Sequence, residues 1–146
     1  MIFDTERLQK WAVGMARHVA KLSKDPSTQV GAVIFDDKRR FVAAGYNGFP
    51  RGVEDTVARL ENREVKYRIT RHAEQNAIAF ATAPLEGSTI VVTHPPCAQC
   101  AGAIIQAGIK HVCYPQPSEA MLKRWGEDFD WARIMFKEAG VEVHEW

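Results

Sequence analysis

The chain has 146 residues, 46% hydrophobic and 25% charged, which suits one globular domain with its own core and excludes a disordered or fibrous architecture. Its formal net charge is +1, with 19 Lys and Arg scattered among 18 Asp and Glu. Long nucleic acid needs a basic stripe to bind, so that partner class is excluded and a small anionic ligand is not.

The first ten residues carry acids and lack a continuous apolar run, and no membrane span follows, so neither a signal peptide nor a membrane partner is expected. Three cysteines, two of them as Cys97-x-x-Cys100, point to metal or redox use in a reducing, cytoplasmic setting rather than to a disulfide framework.

In chain order, Leu8, Trp11, Ala12, Met15, Val19 and Leu22 recur at three- and four-residue steps and predict an amphipathic helix over 4–23, stopped before Asp25-Pro26. Two β-rich runs, 29–35 and 40–45, flank Asp36-Asp37-Lys38 and predict an antiparallel hairpin. Gly45-Tyr46-Asn47-Gly48-Phe49-Pro50 reads as loop, and the polar stretch 51–67 offers at most a short helix near 55–60.

Helix is expected at 72–81, strand at 89–93, helix at 98–107, strand at 110–114, helix at 119–139 behind Ser118 as N-cap, and strand at 141–143. Helices alternating with single strands require crossovers. The fold class is therefore α/β, a three-layer α/β/α sandwich around a central mixed five-stranded sheet, with residues 1–146 as a single domain.

Chemistry concentrates at two predicted helix starts, His72-Ala73-Glu74 and Pro96-Cys97-Ala98-Gln99-Cys100. One imidazole and two thiolates would leave a tetrahedral Zn²⁺ one open position, the arrangement of a catalytic rather than a structural site. A Cys-x-x-Cys alone also fits a redox pair or half a zinc knuckle, but no second Cys-x-x-Cys or His pair completes a knuckle here. His-x-Glu with Pro-Cys-x-x-Cys is the signature of the zinc deaminases.

Four stretches extend the likeness: Ser23-Lys24-Asp25-Pro26-Ser27-Thr28-Gln29-Val30-Gly31-Ala32, the loop Gly45 to Pro50, His72-Ala73-Glu74-Gln75-Asn76-Ala77-Ile78, and Thr93-His94-Pro95-Pro96-Cys97-Ala98-Gln99-Cys100. With these the chain resembles the deoxycytidylate (dCMP) deaminases of the cytidine/deoxycytidylate deaminase superfamily. The resemblance implies a cytidine deaminase-like fold and zinc-dependent hydrolysis of dCMP to dUMP and ammonia. It implies His72, Cys97 and Cys100 as metal ligands and Glu74 as catalytic proton shuttle.

It also implies that Asn47 bonds the sugar and the Ala73 backbone reads the pyrimidine. Lys24 and His94 are further substrate-binding candidates, each weighed against an ordinary structural role. A hexamer built as a trimer of dimers is implied, with regulation by dCTP as activator and dTTP as inhibitor. The effector site would involve Asn47, Gly48, Arg51 and Glu54, with Mg²⁺ held on the triphosphate by Glu54 or Asp55.

The rival readings are a cytidine or tRNA adenosine deaminase and a non-catalytic zinc module that binds nucleic acid. Trp125, Phe129, Trp131 and Phe136 share one helix and are expected in the core or a subunit interface. Cys113 is expected as a small buried hydrophobe, and His18, His111 and His144 at surface or edge positions.

Overall fold

The structure, a computed structural model, describes Phe3 and residues 5–146. The elements are α1 (Glu6–Ala20), β1 (Gly31–Phe35), β2 (Phe41–Tyr46), α2 (Val57–Glu61), α3 (Arg63–Ile69), α4 (Ala73–Ala79), β3 (Thr89–Val92), α5 (Ala98–Gln106), β4 (His111–Tyr114), α6 (Glu119–Ala139) and β5 (Glu142–Glu145). The strands form one five-stranded sheet in the order β2-β1-β3-β4-β5. The strand β1 is antiparallel to β2 and β3, while β3, β4 and β5 run parallel, so the sheet is mixed as expected.

Side-chain alternation divides the sheet between two cores. Ala32, Ile34, Ile90, Val92 and Val112 pack against Ala73 and Ala77 of α4, Ile104 of α5 and Phe136 of α6. Val33, Phe35, Val91 and Cys113 face the other way, toward Ala12, Val13 and Ala16 of α1. With β1 and β3 buried on both faces, the layers are α1, the sheet, and α4 with α5 and α6.

Two glycines set how closely these layers approach. A Cβ on Gly31 would stand 2.0 Å from the Ala16 carbonyl oxygen of α1. One on Gly45 would stand 2.4 Å from the Ala77 nitrogen and 2.5 Å from the Ala73 oxygen of α4. Gly45 belongs to β2, as the 40–45 run predicts, Tyr46 joins it from the expected loop, and Gly45 lets α4 lie directly on the sheet.

Other boundaries also differ from the sequence expectation, among them a strand that begins at Gly31 rather than 29 and a helix that spans Ala73–Ala79 rather than 72–81. The first helix ends at Ala20 instead of Ser23 because the Lys21, Leu22 and Ser23 N–H groups turn back three residues to His18, Val19 and Ala20. Asp4, placed in that helix from the sequence, lies outside the described residues. The polar stretch holds two helices, not one, capped by Thr56 and Asn62, and their buried surface is too small to leave an apolar periodicity. Val141 closes the C-cap of α6 and is not yet strand: Gly140 is left-handed (φ 73°) and the Val141 N–H bonds the Phe136 carbonyl, so β5 runs Glu142–Glu145 instead of 141–143.

Candidate active site

Two helix starts meet over the sheet. His72 is the N-cap of α4, where Gln75 Oε1 accepts from its N–H at 3.0 Å. Just before it, Arg71 and Gly48 exchange backbone hydrogen bonds of 2.8 and 3.1 Å, pinning the helix start to the turn after β2. Asn76 of α4 donates to the Tyr46 carbonyl at 2.8 Å and ties the same helix to the strand. Cys97 is the N-cap of α5, its Sγ accepting from the Cys100 N–H at 3.4 Å. From α6, Asp128 accepts from the Ala98 N–H at 2.8 Å and completes that cap.

The result is a cluster in which His72 Nδ1 lies 3.2 Å from Cys100 Sγ and 3.5 Å from Cys97 Sγ. Nitrogen and sulfur ligands at the zinc bond lengths of about 2.0 and 2.3 Å stand about 3.5 Å apart around a tetrahedral ion, so these residues fit Zn²⁺. Cys97 and Cys100 behave as two sulfurs holding one proton. The Cys100 hydrogen bond, with His72 and the helix start adding to it, brings Cys97 down to about 4. Cys100 is pushed far up, first by its bond to Cys97 and then by burial. A cation in place of that proton frees both thiolates as ligands.

Glu74 is buried in the first turn of α4, and burial pushes its carboxyl up to about 7. A carboxyl poised near neutrality both takes and gives protons at neutral pH. His72 is raised, above all by its bond to Cys97. Burial holds His94 below its ordinary range, and the ring packs edge-on to Phe129 at 6.4 Å.

A cavity of about 280 Å³ opens in front of the cluster. It gathers His72, Ala73, Glu74, His94, Cys97 and Asn47 from the sequence reading. It also takes in Arg63, Lys66 and Tyr67 of α3 and Arg124, Trp125, Asp128 and Phe129 of α6, which the sequence did not single out as site residues. Lys66 is buried and bonds Asp25 at 3.0 Å and Ser27 at 3.3 Å. Arg124 donates to the Tyr67 hydroxyl and lies over the Trp125 ring. Of the four aromatic residues of α6, Phe129 and Phe136 are buried as expected, Trp131 is exposed, and Trp125 lines the cavity.

Asn47 is buried, and its amide bridges two backbone groups, accepting from Val30 N–H at 2.8 Å and donating to Thr28 carbonyl at 2.9 Å. It also lines a second cavity of about 130 Å³, together with Gly48, Lys24 and Asp55. Lys24 is paired with Asp55 at 2.6 Å there and does not line the first cavity. Arg51 and Glu54 are outside both linings: Arg51 stands 5.2 Å over the Phe80 ring, and the Glu54 carbonyl accepts from Arg59.

The chain is similar to known proteins. Residues 6–116 match the family model described as the cytidine and deoxycytidylate deaminase zinc-binding region. The chain is 52% identical over 139 residues to an uncharacterized deaminase in the luxG 3' region of Aliivibrio fischeri, covering 93% of each. It is 41% identical over 135 residues to mouse deoxycytidylate deaminase, covering 87% of this chain and 72% of that one. The crystal structure of dCMP deaminase from cyanophage S-TIM5 in complex with dCMP and dUMP superposes with a TM-score of 0.75 at 25% identity, over 97% of this chain and 98% of that one. With its three candidate zinc ligands at two helix starts and a buried carboxyl beside them, this chain belongs to the cytidine and deoxycytidylate deaminase family.

Proposed function

We propose that this chain hydrolyses dCMP to dUMP and ammonia, supplying dUMP for thymidylate synthesis. The observation that carries this reading is one cavity lined both by the His72–Glu74–Cys97 cluster and by three cations, Arg63, Lys66 and Arg124. A deoxynucleoside monophosphate has a base for the first and a phosphate for the second. Arg63 and Arg124 present forked donors suited to phosphate, and Lys66 adds a point charge already fixed by Asp25.

His72, Cys97 and Cys100 would hold zinc, which when bound acts as a Lewis acid and lowers the pKa of water to about 7. Glu74 takes a proton from the attacking water and delivers it to N3 of the cytosine as C4 becomes tetrahedral. The same carboxyl then takes the remaining proton of the C4 hydroxyl and passes it to the departing amine, so that the C4 carbonyl forms as the C4–N bond breaks and ammonia leaves. The Ala73 backbone reads the pyrimidine edge, His94 with Phe129 walls the base, and Asn47, whose amide keeps spare donor and acceptor capacity, bonds the sugar. Cys97 and Cys100, side by side as thiol and thiolate rather than joined in a disulfide, suit a reducing, cytoplasmic location.

Ammonia release from dCMP, dCTP, deoxycytidine, cytidine and an adenosine-containing tRNA hairpin tests the assignment. dCMP is expected to be preferred, and Arg124→Gln to lower kcat/KM for dCMP by about 10- to 100-fold while leaving deoxycytidine unaffected, the scale of one lost charged hydrogen bond. Equal specificity constants for dCMP and deoxycytidine would assign a nucleoside deaminase instead.

The second cavity supports a regulatory reading in which dCTP activates and dTTP inhibits. Asn47 lines both cavities, so a nucleotide at Gly48 and Lys24 acts on a residue that also faces the substrate. At about 130 Å³ this cavity takes part of a triphosphate, and the rest extends over the exposed turn carrying Arg51 and Glu54, where Glu54 or Asp55 holds Mg²⁺. Saturation curves for dCMP with Mg²⁺ alone, with dCTP and with dTTP should separate. Superimposable hyperbolas, with no triphosphate binding by calorimetry, would remove regulation from the reading.

A further inference from the structure

On its face of the sheet the backbone of α1 lies over β1, β2 and β3 and does not come close to β4 or β5, with Cys113 of β4 at the margin of the core beneath it. Parallel pairing sets His111 of β4 beside Glu142 of β5, and Cys113 beside His144. Cys113 belongs to the core under α1, and residues two apart in a strand share a face. His111, Glu142 and His144 therefore project together from the part of that face α1 leaves uncovered.

Their ligand atoms converge. His111 Nδ1 lies 3.2 Å from Glu142 Oε2 and 3.4 Å from His144 Nε2, and His144 Nε2 lies 3.7 Å from the same oxygen. Three lone-pair-bearing atoms at such separations repel one another unless a proton or a cation sits between them. Nitrogen and oxygen ligands about 2.0–2.2 Å from a tetrahedral zinc stand about 3.3–3.5 Å apart, so one ion meets all three with shifts of a few tenths of an ångström.

We infer that His111, Glu142 and His144 form a second metal site, distinct from His72, Cys97 and Cys100, that takes a divalent first-row transition ion such as Zn²⁺. Two imidazoles and one carboxylate suit that class, whereas Mg²⁺ and Ca²⁺ require an all-oxygen shell. The site is mechanical. The last strand, β5, is four residues long and among the described residues pairs with β4 alone, and an ion held by residues of both strands clasps it to the sheet. Glu142 is the exposed member and the imidazoles are the more buried ones, so the ion enters from solvent.

The test is metal content after chelation, reloading with zinc and desalting. The wild-type chain should retain two zinc ions, and His111→Gln and His144→Gln one each with unchanged circular dichroism. The double variant Cys97→Ser/Cys100→Ser should still retain one, and its cobalt form should show d–d bands without a thiolate charge-transfer band. One zinc in the wild type and none in the double cysteine variant would overturn the site. So would a stoichiometry that neither His substitution lowers, which would leave the cluster as a proton-sharing hydrogen-bond group. Should either histidine variant fail to fold, Glu142→Gln at the exposed position gives the same count. None of these readouts depends on which substrate the enzyme turns over.

Discussion

Glu74 and glutamine have the same shape but only the acid moves protons, and in its buried position next to the candidate ligands this difference is isolated. Glu74→Gln should keep zinc by metal analysis and lose kcat by about a hundredfold or more, the scale of a positioned acid–base group. Loss of the metal in that variant would make Glu74 a ligand instead. Asp25 carries a different burden. Burial opposes its charge, but the Ser27 and Thr28 N–H groups and Lys66 outweigh burial and hold the carboxyl below its ordinary range. The native state therefore prefers the ionised form, so this contribution is full above the ordinary Asp pKa and lost as pH falls through the lowered one. Asp25→Ala, which leaves Lys66 buried without its partner, should cost about 1–3 kcal/mol at pH 7. Urea melts at pH 7 and pH 3 should show the gap between wild type and variant narrowing in acid; a gap independent of pH would refute the ion-pair argument. His72, Cys97, Cys100 and Glu74 were legible in the sequence because each sits within a few residues of its partner motif. Arg63, Lys66 and Arg124 were not, since α3 and α6 reach the cavity only through the fold and a lone cation carries no local signature.

Among the elements, α4 matters most, because its start carries His72 and Glu74 and its body lies on β2 and β1. The close approach depends on Gly45. Adding one methyl there forces the Ala73–Ala77 backbone outward, and overpacking of this kind costs about 1–3 kcal/mol. Gly45→Ala should lower the melting temperature and reduce zinc retention together, measured by calorimetry and metal analysis. Gly48→Ala, with open space at its Cβ, is the matched control and should do neither. Unaltered zinc retention in Gly45→Ala would mean that α4 is held by something other than this contact. The helix–strand alternation could be read from periodicity, caps and Pro-Gly punctuation, and α6 matched its expected limits because Ser118 and Gly140 mark both ends. The sequence offered a short helix near 55–60, where α2 lies, but α3 escaped notice because, among its residues, only Lys66 is buried, leaving no apolar stripe to read.

At the scale of the molecule, α6 gives Phe129, Ala132 and Phe136 to the core and leaves Trp131, Ile134 and Leu122 exposed. Large apolar side chains exposed on a helix already packed on one side are the makings of a subunit contact, and we propose that the chain forms an oligomer through them. Light scattering coupled to gel filtration should give a mass several times the 16.4 kDa of one chain, and Trp131→Glu should reduce it. A monomeric wild type would end the oligomer proposal. No helix among the described residues is long and apolar enough to cross a membrane. What the sequence by itself determined is what neighbouring residues decide among themselves: the α/β order, the Ser118 cap of α6, and a metal motif whose spacing is set within single helix turns. What only the tertiary structure decided is what distant segments do when packed. Packing brought the α3 and α6 cations to the zinc cluster, made Gly45 a contact for α4, and set His111 against Glu142 and His144. Each depends on long-range register and close approach, which side-chain volume and sheet pairing impose and which no local pattern encodes.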